Sequence, residues 1–352
     1  MTSPSLALDN LAQRYWDFRC DEFPTEAILA GLTPRSDLLL RDAPDDHERR
    51  AAWASAALGE LAEIDGDALS QTERATLRLL RGELSQIVDM VAQQAHLRPS
   101  IYPLGPEFGL ASWASMTSIA TVEDARRYID RLGKVPAALE GVQQSLTEGR
   151  ERGIRYPKLV VERAVGVVKG QASVDVEANG FFGPLKVLAT RGAAFADIVE
   201  EGRSVVAKTV APALMNYALF LERILLPVAR DALDCVGDVG GEGHYRHLIR
   251  QYTTIDLPAE EIHAIGLAEV ERITGEMEAV AADGGFAGDL AGFKRQLQGD
   301  NSQLLESGEA LREEIEILSK RIDARIPEFF GRIPRPTYGV KSIPEAIAAA
   351  MP

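Results

Sequence analysis

Apolar side chains recur at helical spacing along most of the chain. Leu77, Leu80, Leu84, Val88 and Val91 share one stripe of a helix, and Ser70 with Glu73 supplies a capping box ahead of it. Thr121 and Asp124 cap a second helix that runs towards Gly149 or Gly153. Leu214, Tyr217, Leu221, Leu225 and Val228 form a third stripe. Ile262, Ile265, Ile273, Met277 and Val280 form a fourth, with Pro258 as the first helical residue. Leu304, Leu311, Ile315, Leu318 and Ile322 define a fifth, with Glu309, Glu313 and Lys320 opposite. Glu316 and Lys320 add an i,i+4 pair worth about 0.3 kcal/mol.

Evidence for strands is thin. The β-branched runs Val160–Val161 and Val165–Val168 lie in a stretch of helical length behind Pro157. Breaks fall near Pro99–Gly109, Asn179–Pro184, Gly237–Gly243 and Gly284–Gly288, each too short for a flexible linker. The pattern predicts an all-α, multi-helix body of roughly ten helices over residues 1–332, read as one domain. Residues 333–352 read as a proline-rich extended connector. Pro334, Pro336 and Pro344 each remove a backbone donor and push the preceding residue out of the α region.

At 352 residues the chain is long enough to bury a sizeable core, and aromatic residues are only 6%, so aliphatic side chains must fill it. The net charge of -15 opposes binding to nucleic acid or anionic membrane surfaces. The opening residues lack a basic and then apolar signal pattern, and no run of about 18 apolar residues suggests a membrane span. Cys20 and Cys235 lie far apart and outside metal-type spacing. A cytoplasmic protein with two reduced thiols is the simplest expectation.

Chemical motifs are scarce. No His-Glu-x-x-His pair, Gly-x-Ser-x-Gly elbow or Gly-x-x-x-x-Gly-Lys loop occurs. Glu242, His244 and His247 are the nearest thing to a ligand cluster, but three glycines around them indicate a helix-entry loop. Glu260 and His263 match half of a di-iron motif, whereas a first-turn carboxylate beside the helix dipole explains Glu260 equally well. The loop Tyr102–Gly109 is a rigid turn whose backbone can line a groove, or simply connect helices.

Three stretches together resemble one family. They are the run from Tyr245 to Val270, the segment from Arg131–Leu132 through Gly149 and Gly153 to Pro157, and the run Ile333–Glu345. With Arg14-Tyr15-Trp16 and Pro24-Thr25, their order is similar to the bacterial family called domain of unknown function 885. The resemblance implies a helical protein related to zinc metallopeptidases of the gluzincin kind, hence hydrolysis of an amide by metal-bound water. In that family a His-Glu-Ala-x-Pro-Gly-His-His motif follows the stretch matching Ile333–Glu345, so no residue here is expected to be catalytic or to bind metal. Zinc is expected only for the longer family architecture, and none for this chain. Leu257 departs from the family's threonine, leaving Asp256 or solvent to cap the following helix. The resemblance therefore implies the amino-terminal helical portion of a metallopeptidase-like hydrolase, inactive alone. Tyr245, Arg250 and the backbone at Gly105 would line its substrate groove. Core packing for Tyr245 and a surface ion pair for Arg250 are the plainer readings. The missing half, or self-association through an exposed apolar patch, is the expected partner. A non-enzymatic interaction module or decayed remnant is the alternative.

Overall fold

The computed structural model describes residues 3–30, 32, 39, 41–192, 195–335 and 337–343, with Ile28, Leu29 and Gln303 as backbone only. Pro336 and Pro344, with residues 345–352 of the expected connector, lie outside that set. The described residues are helical, with one isolated bridge between Pro157 and Arg230 and no strand. The helical expectation is therefore met. Short helices such as Pro24–Leu29, Gly183–Ala189 and Ile326–Phe329 raise the number above the ten expected. Contacts divide the chain into two compact units that meet at Ile255 and Asp256, a boundary that none of the glycine- and proline-rich breaks marks.

In the unit up to Ile255, helices Pro4–Glu22, Pro44–Ala62 and Gln71–Ala92 enclose a small core of Leu8, Leu11, Leu61, Leu77, Leu80 and Leu84. The capping box at Ser70 and Glu73 is present, and Val88 packs at the margin of this core. A larger core gathers helices Pro106–Met116, Val122–Leu132, Val135–Glu151, Lys158–Ser173 and Gly183–Ala189 around the long helix Ala196–Val228. Thr121 and Asp124 cap as expected, but the single helix predicted behind them is two. It breaks at Gly133 and Lys134 because Pro136, in the first turn of the second helix, has no N–H to continue the ladder.

Ala196–Val228 contains two widened π turns, Val206–Val210 and Leu221–Leu225. Pro212 and Pro227 follow them closely. A wider turn accommodates a residue that lacks an N–H and clashes with the carbonyl four residues back. This helix is long and apolar enough to cross a bilayer by length and composition, a property the sequence reading missed. Val206, Val210, Leu214, Tyr217 and Leu221 on its buried side are fully within the core, as in the central helix of a packed bundle.

The unit Asp256–Pro344 carries helices Ala259–Asp283, Leu290–Gly299, Gly308–Asp323 and Ile326–Phe329. Pro258 is the N-cap rather than the first helical residue, and no side chain caps this helix, Asp256 included. The periodicity of the fourth and fifth stripes is confirmed, but their burial is not. Val280 is 64% exposed and Ile322 52%, and among the described residues of this unit only Ala281 is buried. Leu304 precedes the last long helix instead of belonging to it. Glu316 pairs with Arg312, and Lys320 with Asp323, so the expected Glu316–Lys320 pair is replaced by two others.

Candidate functional site

The loop that sequence analysis marked as a possible groove wall is the centre of the site. Gln94 turns the chain out of helix Gln71–Ala92 with a positive φ of 54°, and a single 3-10 turn Ala95–Leu97 follows. The loop base is then anchored. Tyr156 donates its hydroxyl to the Pro99 carbonyl at 2.6 Å, and Arg98 forms a buried ion pair with Asp238 at 2.7 Å. The Arg155 N–H also donates to Asp238 at 3.2 Å. A carboxylate this enclosed is stable only with such partners. Gly105 caps helix Pro106–Met116, and Pro106 occupies its first turn.

Two cavities share this loop. The larger, of about 560 Å³, is mainly apolar and includes Phe23, Ile87, Leu104, Gly105, Leu110 and Trp113 in its wall. Its titratable groups are Asp42, His47, Arg50 and His96. His47 Nε2 lies 2.8 Å from Asp42 Oδ1, and the His47 and His96 rings are 5.4 Å apart. His96 Nδ1 is 3.3 Å from the Met90 carbonyl, which orients that ring; burial pushes its pKa below the usual histidine value. Arg50 donates to Glu22 at 2.9 Å. Burial opposes ionisation of Glu22, but hydrogen bonds from Arg49 and Arg50 hold its carboxyl below the usual range. An imidazole held by a carboxylate at the edge of an apolar cavity can accept or donate a proton to a bound polar group. His47 and His96 carried no sequence signal, because the two rings, 49 positions apart, meet only in the folded chain.

The smaller cavity, of about 410 Å³, is bounded by Tyr102, Phe108 and Glu107 on the loop side. Gly166, Gly170 and Gln171 of helix Lys158–Ser173, with Asn179, complete much of the remainder. Glu107 is 1% exposed, no other residue hydrogen-bonds to its carboxylate oxygens, and burial, opposed only by the residue's own backbone N–H, pushes its pKa up to about 7. Tyr217, also buried and without a partner, is pushed up by burial and then by the Glu107 charge. Glu107 stands with Leu110, Ala111 and Ala114 on the buried face of its helix. One glutamate at a core position of an otherwise apolar helix was the signal that could have revealed it. A Cβ at Gly105 would overlap the Glu107 carboxyl group, so a larger residue there has to displace that carboxyl.

Of the three residues the resemblance placed in a groove, Gly105 lines the larger cavity. Tyr245 and Arg250 line neither; both are exposed on helix Gly241–Thr253, so core packing for Tyr245 is also excluded. His247 of that helix is buried, and His244 is half-buried. Burial, then the Arg98 charge, pushes the His244 pKa down to about 4. Glu260 and His263 are exposed. Among the described residues no group of three or more histidine, cysteine, aspartate or glutamate side chains is placed to hold a metal ion. The guanidinium felt at His244 is itself a poor neighbour for a cation. A zinc ion therefore does not fit the ligand sets these residues offer. Cys20 and Cys235 are free thiols.

The family described as "Bacterial protein of unknown function (DUF885)" matches residues 24–352. The chain belongs to that family. This DUF885 chain also has the fold of two solved structures. One is described as "the putative lipoprotein from Colwellia psychrerythraea", with a TM-score of 0.88 at 20% identity; the match covers 100% of this chain and 64% of that one. The other is described as "a putative lipoprotein of unknown function from Shewanella oneidensis", with a TM-score of 0.59 at 15% identity, covering 93% and 56%. The DUF885 chain thus spans less than two thirds of either similar chain. No curated protein matches it.

Proposed function

We propose that this DUF885 chain is the helical, substrate-facing portion of a hydrolase related to metallopeptidases, and that it contributes binding walls rather than metal ligands. The observation that carries this reading is the pair of cavities on one anchored loop, whose walls place His47 and His96 beside Asp42 in one and the buried Glu107 in the other. The resemblance around Tyr245–Val270 supplies the reaction class. The described residues supply no set of three metal-binding side chains, so no step is assigned to a metal on this chain.

Short peptides of varied sequence, added to the purified chain with and without zinc, test this assignment. Binding should quench or enhance Trp113 fluorescence, since Trp113 lines the larger cavity, and no peptide bond should be cut. Robust turnover by the chain alone would remove the division of labour, and absence of any peptide binding would remove the wall. A second reading, a non-enzymatic interaction module, is favoured by the uncovered apolar stripes of Ala259–Asp283 and Gly308–Asp323. Light scattering that reports self-association without peptide binding supports it. The lipoprotein descriptions of both similar structures favour an envelope-side location over the cytoplasmic one expected from sequence, and cell fractionation decides between them.

A further inference from the structure

The smaller cavity has an unusual imbalance of hydrogen-bonding atoms. Three buried acceptors, Glu107 Oε1 and Oε2 and Gln171 Oε1, have no partner. Among donors of the wall itself only Asn179 Nδ2 is similarly free, its Oδ1 accepting from the Phe181 N–H at 3.0 Å; the unpartnered Tyr217 hydroxyl lies behind the wall and, being neutral, supplies no counter-charge. Buried polar atoms are nearly always satisfied, and a buried carboxylate without a counter-charge is costly. No lysine, arginine or histidine lines the cavity. The wall therefore lacks what Glu107 requires, a cation rich in N–H donors. Phe108, Val167, Val174 and Ala111 supply apolar surface beside it.

We propose that this cavity binds a primary alkylammonium group, with the ammonium held by Glu107 and Gln171 and its apolar body packed on Phe108, Val167 and Val174. An ammonium carries three donors and no acceptor, which matches three unfilled acceptors. A carboxylate ligand would meet the same acceptors with its own negative charge, and an alcohol has one donor to offer. Asn179 Nδ2 remains for a carbonyl or hydroxyl oxygen next to the amine. This inference stands apart from the hydrolase reading: a chain that binds an amine but no peptide leaves it intact.

Binding carries a proton signature. Burial pushes the empty Glu107 carboxyl up to about 7, and the bound cation pulls it down, so binding at lower pH expels its proton to the buffer. About 0.9 proton should be released at pH 6 and about 0.1 at pH 8, with apparent affinity rising about tenfold between them. The amine stays charged throughout, as its pKa is near that of lysine, about 10.4. Of the other groups facing this site, Tyr102 belongs to the cavity wall and Tyr217 to the helix behind, and burial raises Tyr217 far from this range. Helix Lys158–Ser173 and the segment Ala178–Gly180 present no ionisable side chain to the cavity.

The test is calorimetric titration of the full chain with n-hexylamine, n-hexanol and hexanoate, at pH 6 and pH 8, in two buffers of different ionisation enthalpy. Hexylamine should bind at least about tenfold more tightly than hexanol at pH 8, with the stated proton release at pH 6. Glu107→Gln should reduce hexylamine to the level of hexanol and abolish the release. Gly170→Leu provides a second variant, since a Cβ at Gly170 meets open space on the cavity wall. It should block amine and alcohol alike while leaving Glu107 in place. Equal binding of amine and alcohol, preference for hexanoate, an affinity independent of pH, or undiminished binding by folded Glu107→Gln or Gly170→Leu would overturn the proposal.

Discussion

Replacing Glu107 by glutamine removes a single titration from the larger core, and its consequence can be worked out from burial. The carboxyl is raised from 4.5 to about 7 in the folded chain. A raised carboxyl pKa means that the unfolded chain gives up this proton more readily, so the group is neutral to stability below pH 4.5 and increasingly destabilising above it. The penalty grows from pH 4.5 to about 7 and is then constant. Each pKa unit corresponds to about 1.36 kcal/mol, so the penalty reaches about 2 kcal/mol at pH 6 and about 3 kcal/mol at pH 8. Glutamine keeps the shape but not the charge. Glu107→Gln should therefore unfold like the parent chain at pH 4.5 and be more stable by up to about 3 kcal/mol at pH 8. Urea unfolding followed by tryptophan fluorescence suits this measurement, because Trp16, Trp53 and Trp113 all lie in the unit up to Ile255. A stability difference that stays constant between pH 4.5 and pH 8 would refute the reasoning, since burial of an ionisable group has no other outcome.

Three further predictions concern the scaffold. Asp238→Asn strips the buried Arg98 of its counter-charge and should cost about 3 kcal/mol in the same urea assay; a loss below about 1 kcal/mol would show that the loop base is not held by this pair. Ser70→Ala removes the N-cap of helix Gln71–Ala92 and should cost about 1 kcal/mol, read as a lower urea midpoint with an unchanged slope. Ile273→Lys with Ile315→Lys should reduce binding of a hydrophobic fluorescent dye without lowering helicity by circular dichroism, because both side chains are exposed; loss of helicity would mean that they support the unit Asp256–Pro344.

Much of the architecture was readable from local chemistry. The caps at Ser70 and Thr121 depend on residues three apart, and the Leu77–Leu84 and Leu214–Leu225 stripes depend on one helical face, so both were visible in the chain. The split at Gly133 had a signal as well, in Pro136, which the reading of one continuous helix did not use. Family membership rested on ordered stretches of sequence and is confirmed across residues 24–352. The candidate site was less legible. Gly105 was selected for its exposed backbone, whereas the structure shows that its missing side chain leaves space for the Glu107 carboxyl. Tyr245 and Arg250 were selected by resemblance and line neither cavity.

Periodicity and capping are properties of neighbours a few residues apart, and for that reason the amino-acid order alone determined the helices and the all-α class. It also determined the acidic surface and the scarcity of conventional catalytic motifs. Burial is a property of the whole packed chain. Only the tertiary structure decided that the stripe of Leu214 and Tyr217 enters a core while that of Ile273 and Val280 stays exposed. It alone brought His47 to His96, and Asn179 to a cavity shared with Glu107. A carboxyl group takes its proton affinity from the dielectric and the partners around it, and those are set by residues distant in sequence.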